Sequence, residues 1–128
     1  MRLRFCILSL VVLFASCAKV VMPVGGPRDV TPPTVVKCVP ENGTVNFSAS
    51  NIKITFDEFV VLNNPSENII ISPPLSQQPK YEMKGKMLII NFLDSLIDNS
   101  TYNIVFSNGI KDYTEGNLLP IYQYAFST

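Results

Sequence analysis

The sequence contains no histidine and no tryptophan among its 128 residues, and it has no excess of either charge. Histidine is the most frequent general base in enzymes and the commonest metal ligand, so its absence removes the usual forms of acid–base and zinc chemistry. The ten basic residues balance the ten acidic residues. Nucleic-acid-binding domains usually carry a basic surface, and we therefore expect no nucleic-acid partner. No motif for a cofactor or a small-molecule substrate is found.

The chain also lacks an apolar run long enough to cross a membrane. Its first apolar stretch, residues 5–15, is interrupted only by Ser9 and is far shorter than the about 20 residues of a transmembrane helix. Arginines precede this stretch and two small residues follow it. These features are typical of a secretory signal peptide, which we predict for residues 1–16. A buried core helix is the alternative, and the leading arginines and the proline–glycine segment that follows disfavour it.

The apolar stretch ends in a short motif that contains a cysteine. Phe14-Ala15-Ser16-Cys17 resembles the lipobox of bacterial lipoproteins, with phenylalanine where leucine is usual. The resemblance implies that the thiol of Cys17 receives a diacylglyceryl group and that the chain is cut before this residue. Each methylene buried in a membrane contributes about 0.8 kcal/mol, so two or three acyl chains on one residue would make release very slow. We expect Cys17 to be the lipid attachment site.

Residues 17–33 combine this cysteine with a segment rich in proline and glycine, which we interpret as an extended tether. If Cys6 is removed with the signal peptide and Cys17 carries lipid, Cys38 has no partner within the chain. Cys38 lies in a predicted strand, which favours a small buried side chain. A reactive thiol, as in a thiol enzyme or an oxidoreductase, would have to be exposed beside a cation.

From residue 34 the sequence changes to short apolar runs separated by turn residues. The pattern predicts strands at residues 34–39, 51–56, 59–62, 68–72, 80–83, 86–92, 101–107 and 122–127. Lys84-Gly85 predicts a hairpin turn, and residues 94–99 leave room for at most one helical turn. Seven or eight strands predict an all-β domain at residues 34–128, either a β-sandwich or a barrel. Its length of about 95 residues favours an immunoglobulin-like antiparallel β-sandwich.

Several stretches of this strand-rich region together resemble a known family. They are DVTPPTVVKCVPENGT at residues 29–44, NIKITFDEFVVL at residues 51–62, TYNIVFSNGIKDYTEGNLL at residues 101–119, and the closing YAFST. Their order and spacing are similar to those of the bacterial Ig-like domain of the SbsA Ig-like, or Big_5, type. The resemblance implies a spacer or interaction module and not an enzyme, in a family whose members often stand at the front of larger cell-envelope proteins.

Carboxylates are the main candidates for a chemical site. Asp57 and Glu58 follow a predicted strand, and Asp112 and Glu115 lie in a predicted loop. Two carboxylates at a suitable separation can hydrolyse glycosides, but neighbours in an extended chain point apart, so Asp57 and Glu58 alone cannot form such a pair. Asp112, Glu115 and Asn117 offer oxygen ligands for calcium, although the EF-hand pattern is absent. The simpler interpretation is that these side chains lie in solvated turns and at strand edges.

Glycosylation and sugar binding are further alternatives. Asp94-Ser95-Leu96 resembles an O-glycosylation acceptor described for some envelope bacteria, which makes Ser95 a candidate acceptor. The three Asn-x-Ser/Thr triplets, which begin at residues 42, 46 and 99, are expected by chance from polar turns. The five tyrosines could form an exposed binding face, but alternation places most of them with core residues.

The leading hypothesis is a lipid-anchored, non-catalytic cell-envelope module with a structural or protein-interaction role. Its partners would be the membrane, through the lipid, and an envelope protein that pairs with an exposed strand edge. We expect it at the outer membrane, either on the periplasmic side or at the cell surface. No acidic cluster follows Cys17, which favours the periplasmic side. The alternative is a carbohydrate-binding or accessory domain of an envelope glycan-handling system, which predicts a concave patch of tyrosines beside Asp57, Glu58 or Asp112.

Overall fold

The computed structural model describes residues 19–128 of the chain. Residues 19–34 have no regular secondary structure, and residues 19–31 are exposed to solvent. Pro33 is buried, so the chain joins the folded body there. The predicted signal peptide and the predicted lipid acceptor Cys17 lie outside the described residues. Among residues 19–128, no helix has the length and apolar character that a membrane crossing requires.

The described residues form nine strands and one short helix. In chain order these elements are β1 (Val35–Val39), β2 (Asn51–Phe56), β3 (Val60–Leu62), α1 (Pro65–Asn68), β4 (Ile69–Ser72), β5 (Lys80–Lys84), β6 (Met87–Asn91), β7 (Thr101–Phe106), β8 (Ile110–Asp112) and β9 (Tyr122–Ser127).

The strands form two antiparallel sheets and a short ribbon. One sheet has the strand order β1-β2-β6-β5, and the other has the order β4-β7-β9. β3 and β8 pair with each other and form the two-stranded ribbon, and Lys111 of β8 also forms an antiparallel bridge with Leu118. These findings confirm the predicted all-β, Ig-like antiparallel sandwich, and they place β3 and β5 at the edges of their respective sheets.

The alternation of apolar and polar residues determines which side chains fill the core. In β2, Ile52 and Ile54 are fully buried, whereas Lys53 between them is exposed. The same period of two buries one face of β7 and of β9. The alternating residues Ile52, Ile54 and Phe56 of β2, Tyr102, Ile104 and Phe106 of β7, and Tyr124 and Phe126 of β9 thus face the core, whereas Tyr122 at the start of β9 is only partly buried.

Aromatic rings fill the centre of the sandwich around Phe126 of β9. Its ring centroid lies 4.1 Å from that of Phe47, in the loop between β1 and β2, and 5.2 Å from that of Tyr102 in β7. Phe126 and Tyr102 are both about 1% exposed. Large rings are well suited to this position because the two layers of a sandwich lie about 10 Å apart.

Turn residues set the connections between the strands. The predicted hairpin is confirmed: Lys84 of β5 pairs with Met87 of β6 across a turn at Gly85-Lys86. Gly85 has a φ of +60°, a backbone conformation that glycine adopts without steric cost. The one helical turn lies at Pro65–Asn68 and not at residues 94–99. Pro65 begins this helix, where a missing backbone N–H costs nothing.

The sequence pattern missed β8. This strand has three residues, Ile110–Asp112, and glycine and polar residues surround it. Three residues are too short to show a clear alternation. The strand exists because it pairs with β3, with Val61 opposite Lys111, and that partner lies far away in the sequence.

Candidate functional site

Asp112, at the end of β8, organises the loop that leads towards β9. Its carboxylate accepts hydrogen bonds from the backbone N–H groups of Glu115 at 2.7 Å, Gly116 at 2.7 Å and Asn117 at 3.0 Å. Gly116 has a φ of +79°, which permits the tight turn. Burial of Asp112 opposes its charged form, but the three backbone donors outweigh burial and hold its pKa below the ordinary value.

This use of Asp112 counts against the calcium alternative. Both oxygens of its carboxylate already accept hydrogen bonds from the loop. Within residues 19–128, no group of three or more acidic or cysteine side chains is arranged to hold a metal ion. Asp112, Glu115 and Asn117 are therefore brought together by a turn, and the turn itself accounts for their positions.

The same loop contacts the end of the tether. The Nη2 atom of Arg28 donates a hydrogen bond to the backbone oxygen of Glu115 at 2.9 Å. The side-chain amide of Asn117 donates to the backbone oxygen of Asp29 at 3.1 Å and lies 3.4 Å from that of Thr31. Residues 28–31 are thus attached to the folded body, and the loop stabilised by Asp112 holds them.

Asp57 fixes the start of the first strand. One carboxylate oxygen accepts the backbone N–H of Thr34 at 2.8 Å, and the other accepts its hydroxyl at 2.7 Å. These two bonds, the backbone bond first, hold the pKa of Asp57 below its ordinary value. The carboxylate predicted as a possible acid–base group therefore has a structural partner on each oxygen.

Glu58 differs from its neighbour. Its pKa is raised, first by burial and then by the negative charges of Asp112 and Asp57. Five carboxylates contribute to this local negative field: Asp29, Asp57, Glu58, Asp112 and Glu115. Three of the five accept backbone N–H groups: Asp29 from Thr31, Asp57 from Thr34, and Asp112 from its own loop. The structure thus gathers the predicted carboxylates at one end of the sandwich, where they serve in turns and caps.

Cys38 lies in β1 with about 9% of its surface exposed. Its Sγ atom is 3.3 Å from the hydroxyl oxygen of Tyr122 in β9. Burial raises the pKa of the thiol, and it outweighs the opposite effect of the hydrogen bond to Tyr122. The thiol enzyme considered from the sequence requires an exposed thiol, and Cys38 is buried.

The tyrosines are mainly core residues, as the alternation predicted. Tyr102 and Tyr124 are fully buried, and Tyr81 and Tyr122 are partly buried. Burial raises the pKa of Tyr81 and of Tyr124 to about 12. Tyr113 alone among the five is largely exposed, at 72%. The concave patch of several tyrosines that the carbohydrate-binding alternative predicts is therefore not formed.

An apolar groove lies beside the ribbon and was not predicted. Its volume is about 590 Å³, and it is lined by residues 59–62, Met83, Gly85 and Tyr113. Phe59 at one end of the groove is 58% exposed. The Nζ atom of Lys86 lies 5.6 Å from the centre of its ring, a cation–π contact. Exposed aromatic side chains within an apolar groove are typical of binding surfaces.

A weak signal for the groove is present in the sequence. Phe59 precedes a short apolar run, and Tyr113 follows Asp112 in a polar loop. Neither position gives an alternation that would bury the ring. The two rings come to one surface because β3 pairs with β8, and the backbone N–H of Tyr113 donates to the oxygen of Phe59 at 3.0 Å.

The remaining candidate residues lie in loops. Ser95 is exposed between β6 and β7, and glycosylation of this residue stays a prediction. Its neighbour Asp94 accepts two hydrogen bonds from Gln77, each at 2.7 Å. Asn46 and Asn99, which begin two of the three triplets, have positive φ angles of 53° and 52°. These triplets therefore occupy turns.

Comparison with protein families gives one match. The family model Big_5, described as bacterial Ig-like domain, matches residues 29–128. The matched region thus includes the tether residues that contact the loop after β8. No curated protein matches the chain.

Solved structures with a similar fold are longer proteins. An L,D-transpeptidase from Mycobacterium smegmatis aligns at a TM-score of 0.50 and 17% identity, covering 77% of this chain and 40% of that one. The N-terminal part of the bacterial S-layer protein SbsC aligns at 0.49 and 23% identity, covering 75% and 23% of the respective chains. Domains 1–6 of the surface layer protein SbsC align at 0.49 and 22% identity, covering 77% and 14%. The chain therefore spans 40% or less of these structures, and the likeness to the transpeptidase concerns the fold alone.

Proposed function

Because the chain belongs to the bacterial Ig-like domain family, we propose that it is a non-catalytic module of the cell envelope, held at a membrane by lipid on Cys17. Its role is structural, or it binds another envelope protein. The observation that carries the proposal is the family match over residues 29–128, preceded by a sequence that resembles a lipoprotein signal. The proposed location is the outer membrane.

The arrangement of tether and domain supports a mechanical role. Residues 18–27 separate Cys17 from Arg28, which contacts the loop after β8. Ten residues reach at most about 36 Å when extended. A domain attached in this way would stay close to the membrane surface, with a fixed point of attachment at residues 28–31.

The lack of a histidine and the use of the carboxylates support the non-catalytic part of the proposal. Asp57 and Asp112 accept hydrogen bonds from backbone N–H groups. Their pKa values lie below that of an ordinary aspartate and therefore well below neutral pH. General acid–base catalysis favours a group with a pKa near the working pH. We therefore propose that this domain acts as a spacer or binds another protein, and that it does not catalyse a reaction.

The anchor is tested by expression of the full chain in a bacterium that makes lipoproteins. Mass spectrometry of the membrane fraction is expected to find a mature chain that begins at Cys17 and carries acyl groups. The Cys17→Ser variant is expected to lack this modification and to keep residues 1–16. Cys6→Ser is the matched control, since Cys6 lies within the predicted signal peptide and its replacement should leave lipidation unchanged.

The opposite result would be an unmodified wild-type chain that retains residues 1–16 and is recovered in the soluble extract. The lipid anchor and the proposed location would then both be wrong. The family membership would be unaffected, because it depends on residues 29–128.

A further inference from the structure

The outer edge of β3 is an unpaired strand edge. Asn63 N–H donates to the oxygen of Gly109 at 2.8 Å, and Tyr113 N–H donates to the oxygen of Phe59 at 3.0 Å. Backbone groups in an antiparallel pair alternate in direction, so Val60 and Leu62 turn their N–H and C=O groups away from β8. Within residues 19–128, no strand pairs with that side of β3. Free donors and acceptors therefore border the apolar groove.

The opposite wall of the groove is another sheet edge. β5 is the last strand of the four-stranded sheet, and its Met83 lines the groove together with Gly85 of the hairpin turn. An extended peptide in this groove would have backbone partners on β3 and apolar contacts on both sides. The three residues of β3 offer about 10 Å of strand for such pairing. Variable-type immunoglobulin sandwiches carry extra strands in one of their two sheets, which shows that sandwich architectures accept additional strands.

Two other edges of the sandwich, those of β4 and β9, are covered. Beside β4, Pro74, Leu75 and Pro79 from the loop before β5 line a space of only about 80 Å³. On the far side, Asn42 donates to the oxygen of Gln123 at 2.9 Å and accepts from the N–H of Ala125 at 2.8 Å, so it caps the edge of β9. Proteins protect strand edges in such ways to prevent unwanted pairing. The unpaired edge of β3 is bordered by the apolar groove instead.

Two lysines lie at the rim of the groove. Lys111 lies opposite Val61 in the register of the ribbon, and Lys86 lies over the ring of Phe59. Lys84 pairs with Glu82 at 3.6 Å, whereas Lys86 and Lys111 form no salt bridge within the described residues. A ligand that carries a carboxylate beside an aliphatic stretch would complement this rim.

We propose that the groove beside β3 binds an extended segment of a partner protein, which adds to the ribbon as a strand, is aliphatic at alternate positions and is flanked by acidic residues. This inference rests on the interaction role proposed above and names its surface and the chemistry of its partner. The exposed tether is aliphatic at Val20–Val24 but carries Lys19, and it has no acidic residue before Asp29. The partner segment is therefore distinct from the chain's own tether.

The experiment uses the full chain as purified from cells, in detergent, and the synthetic peptide Asp-Val-Thr-Val-Thr-Val-Glu. Hydrogen exchange of the backbone amides of Val60 and Leu62 is measured by NMR. At a peptide concentration ten times Kd, about one protein molecule in eleven has no peptide bound. If exchange at these two amides occurs only in the unbound protein, it is expected to slow about tenfold. A peptide with lysine at both ends is expected to bind at least about tenfold more weakly.

Variants test the position of the bound peptide. Val61→Asp places a negative charge on the ribbon and is expected to abolish binding of the acidic peptide. Val36→Asp is the matched control, because Val36 is 64% exposed on β1 at another edge, and it should bind as the wild type does. If Val61→Asp does not fold, Lys111→Glu serves in its place and is expected to reverse the preference between the acidic and the basic peptide.

The proposal is overturned if the acidic peptide leaves exchange at Val60 and Leu62 unchanged at millimolar concentration, or if both peptides bind equally. It is also overturned if a peptide of residues 19–24 binds more tightly, which would make the tether the occupant. Slower exchange with rising protein concentration alone would identify a second copy as the occupant and would likewise refute it. The lipid anchor is tested separately by mass spectrometry of the mature chain. A failure of peptide binding would therefore not contradict the proposed membrane attachment.

Discussion

The carboxylate of Asp57 holds Thr34 by two hydrogen bonds, one to the backbone N–H at 2.8 Å and one to the hydroxyl at 2.7 Å. The contact joins the end of β2 to the point where the tether becomes the first strand. The backbone N–H of Asp57 in turn donates to the oxygen of Thr34 at 3.1 Å. This reciprocal pair resembles the way side chains cap the ends of helices, with a carboxylate satisfying a backbone donor.

Replacement of Asp57 by alanine should therefore loosen the start of β1. Helix caps of similar geometry contribute about 1 kcal/mol, and we expect Asp57→Ala to lower the free energy of unfolding by that amount. Urea denaturation followed by circular dichroism measures the change. Asp98→Ala is the control, since the Asp98 side chain makes no hydrogen bond in the described part of the chain and should change stability by less than about 0.5 kcal/mol. Equal effects of the two substitutions would contradict the proposed clamp.

Two aromatic residues should respond very differently to truncation. Phe126 is packed among Phe47 and Tyr102, and Phe126→Ala is expected to cost about 3–5 kcal/mol because it leaves a cavity in the core. Tyr113 is 72% exposed, and Tyr113→Ala should cost less than about 0.5 kcal/mol. Thermal unfolding of both variants provides the comparison. A large loss of stability at Tyr113 would show that the ring supports the fold and is not a free binding residue.

Gly109 is required because its neighbours leave no space for a side chain. A Cβ atom at this position would lie 2.7 Å from the Cγ1 atom of Ile69 and 3.3 Å from the backbone oxygen of Asn68. Ile69 is itself buried, so it cannot move away freely, and we expect Gly109→Ala to cost about 1–3 kcal/mol. Gly25→Ala, in the exposed tether with no atom nearby, should be neutral. Urea denaturation distinguishes these outcomes, and an unchanged Gly109→Ala would show that the ribbon can shift.

The loop after β8 should depend on the charge of Asp112. The pKa of Asp112 is lowered in the folded chain, so its charged form contributes stability that is complete above the ordinary aspartate pKa of about 3.9. That contribution is lost as the pH falls through the lower pKa of the folded chain. We expect Asp112→Asn to be less stable than the wild type by a constant amount between pH 5.5 and pH 7, with a difference that shrinks below about pH 4.

The pH series has a matched control and a clear opposite result. Asp98→Asn should track the wild type at every pH, because the Asp98 side chain makes no hydrogen bond within residues 19–128. Measurement of the free energy of unfolding at pH 3, 4, 5.5 and 7 covers the window. A difference between Asp112→Asn and the wild type that stays the same at pH 3 would show that the charge of Asp112 does not stabilise the loop.

Cys38 should be unreactive in the folded chain. The thiol is buried, and its pKa is raised, so both access and the thiolate fraction are low. In a variant in which Cys6 and Cys17 are replaced by serine, Cys38 is the one remaining thiol. Its reaction with a thiol reagent at pH 8 should be at least about tenfold slower in buffer than in denaturing urea. Fast labelling in buffer would revive the alternative of a reactive thiol.

The strands with clear alternation could be predicted from the sequence because the period of two is a local property of the chain. Ile52 and Ile54 of β2, or Tyr102 of β7, are recognised as inward-facing without knowledge of their partners. β8 could not be recognised in this way, since three residues carry too little pattern. Its existence depends on pairing with β3, and four other strands, β4 to β7, lie between the two in the sequence.

The sequence predicted which carboxylates belong to the candidate site, but it did not predict which groups they bind. In the sequence, Asp57 stands out as a carboxylate after a predicted strand, and Asp112 as one in a predicted loop. What they bind depends on contacts across the fold: Thr34 approaches Asp57 only after β1 pairs with β2. The groove was missed altogether, because Phe59 and Tyr113 share a surface only through the pairing of β3 with β8.

The sequence by itself determined the all-strand class, the inward faces and the hairpin at Gly85, because side-chain alternation and turn preferences act between residues that are neighbours along the chain. Only the tertiary structure decided which strand edges are covered and which are open. Asn42 closes the edge of β9 and prolines cover β4, whereas the edge of β3 keeps free backbone groups beside an apolar groove. Edge protection depends on the packing of segments that lie far apart in sequence, and no local pattern contains that information.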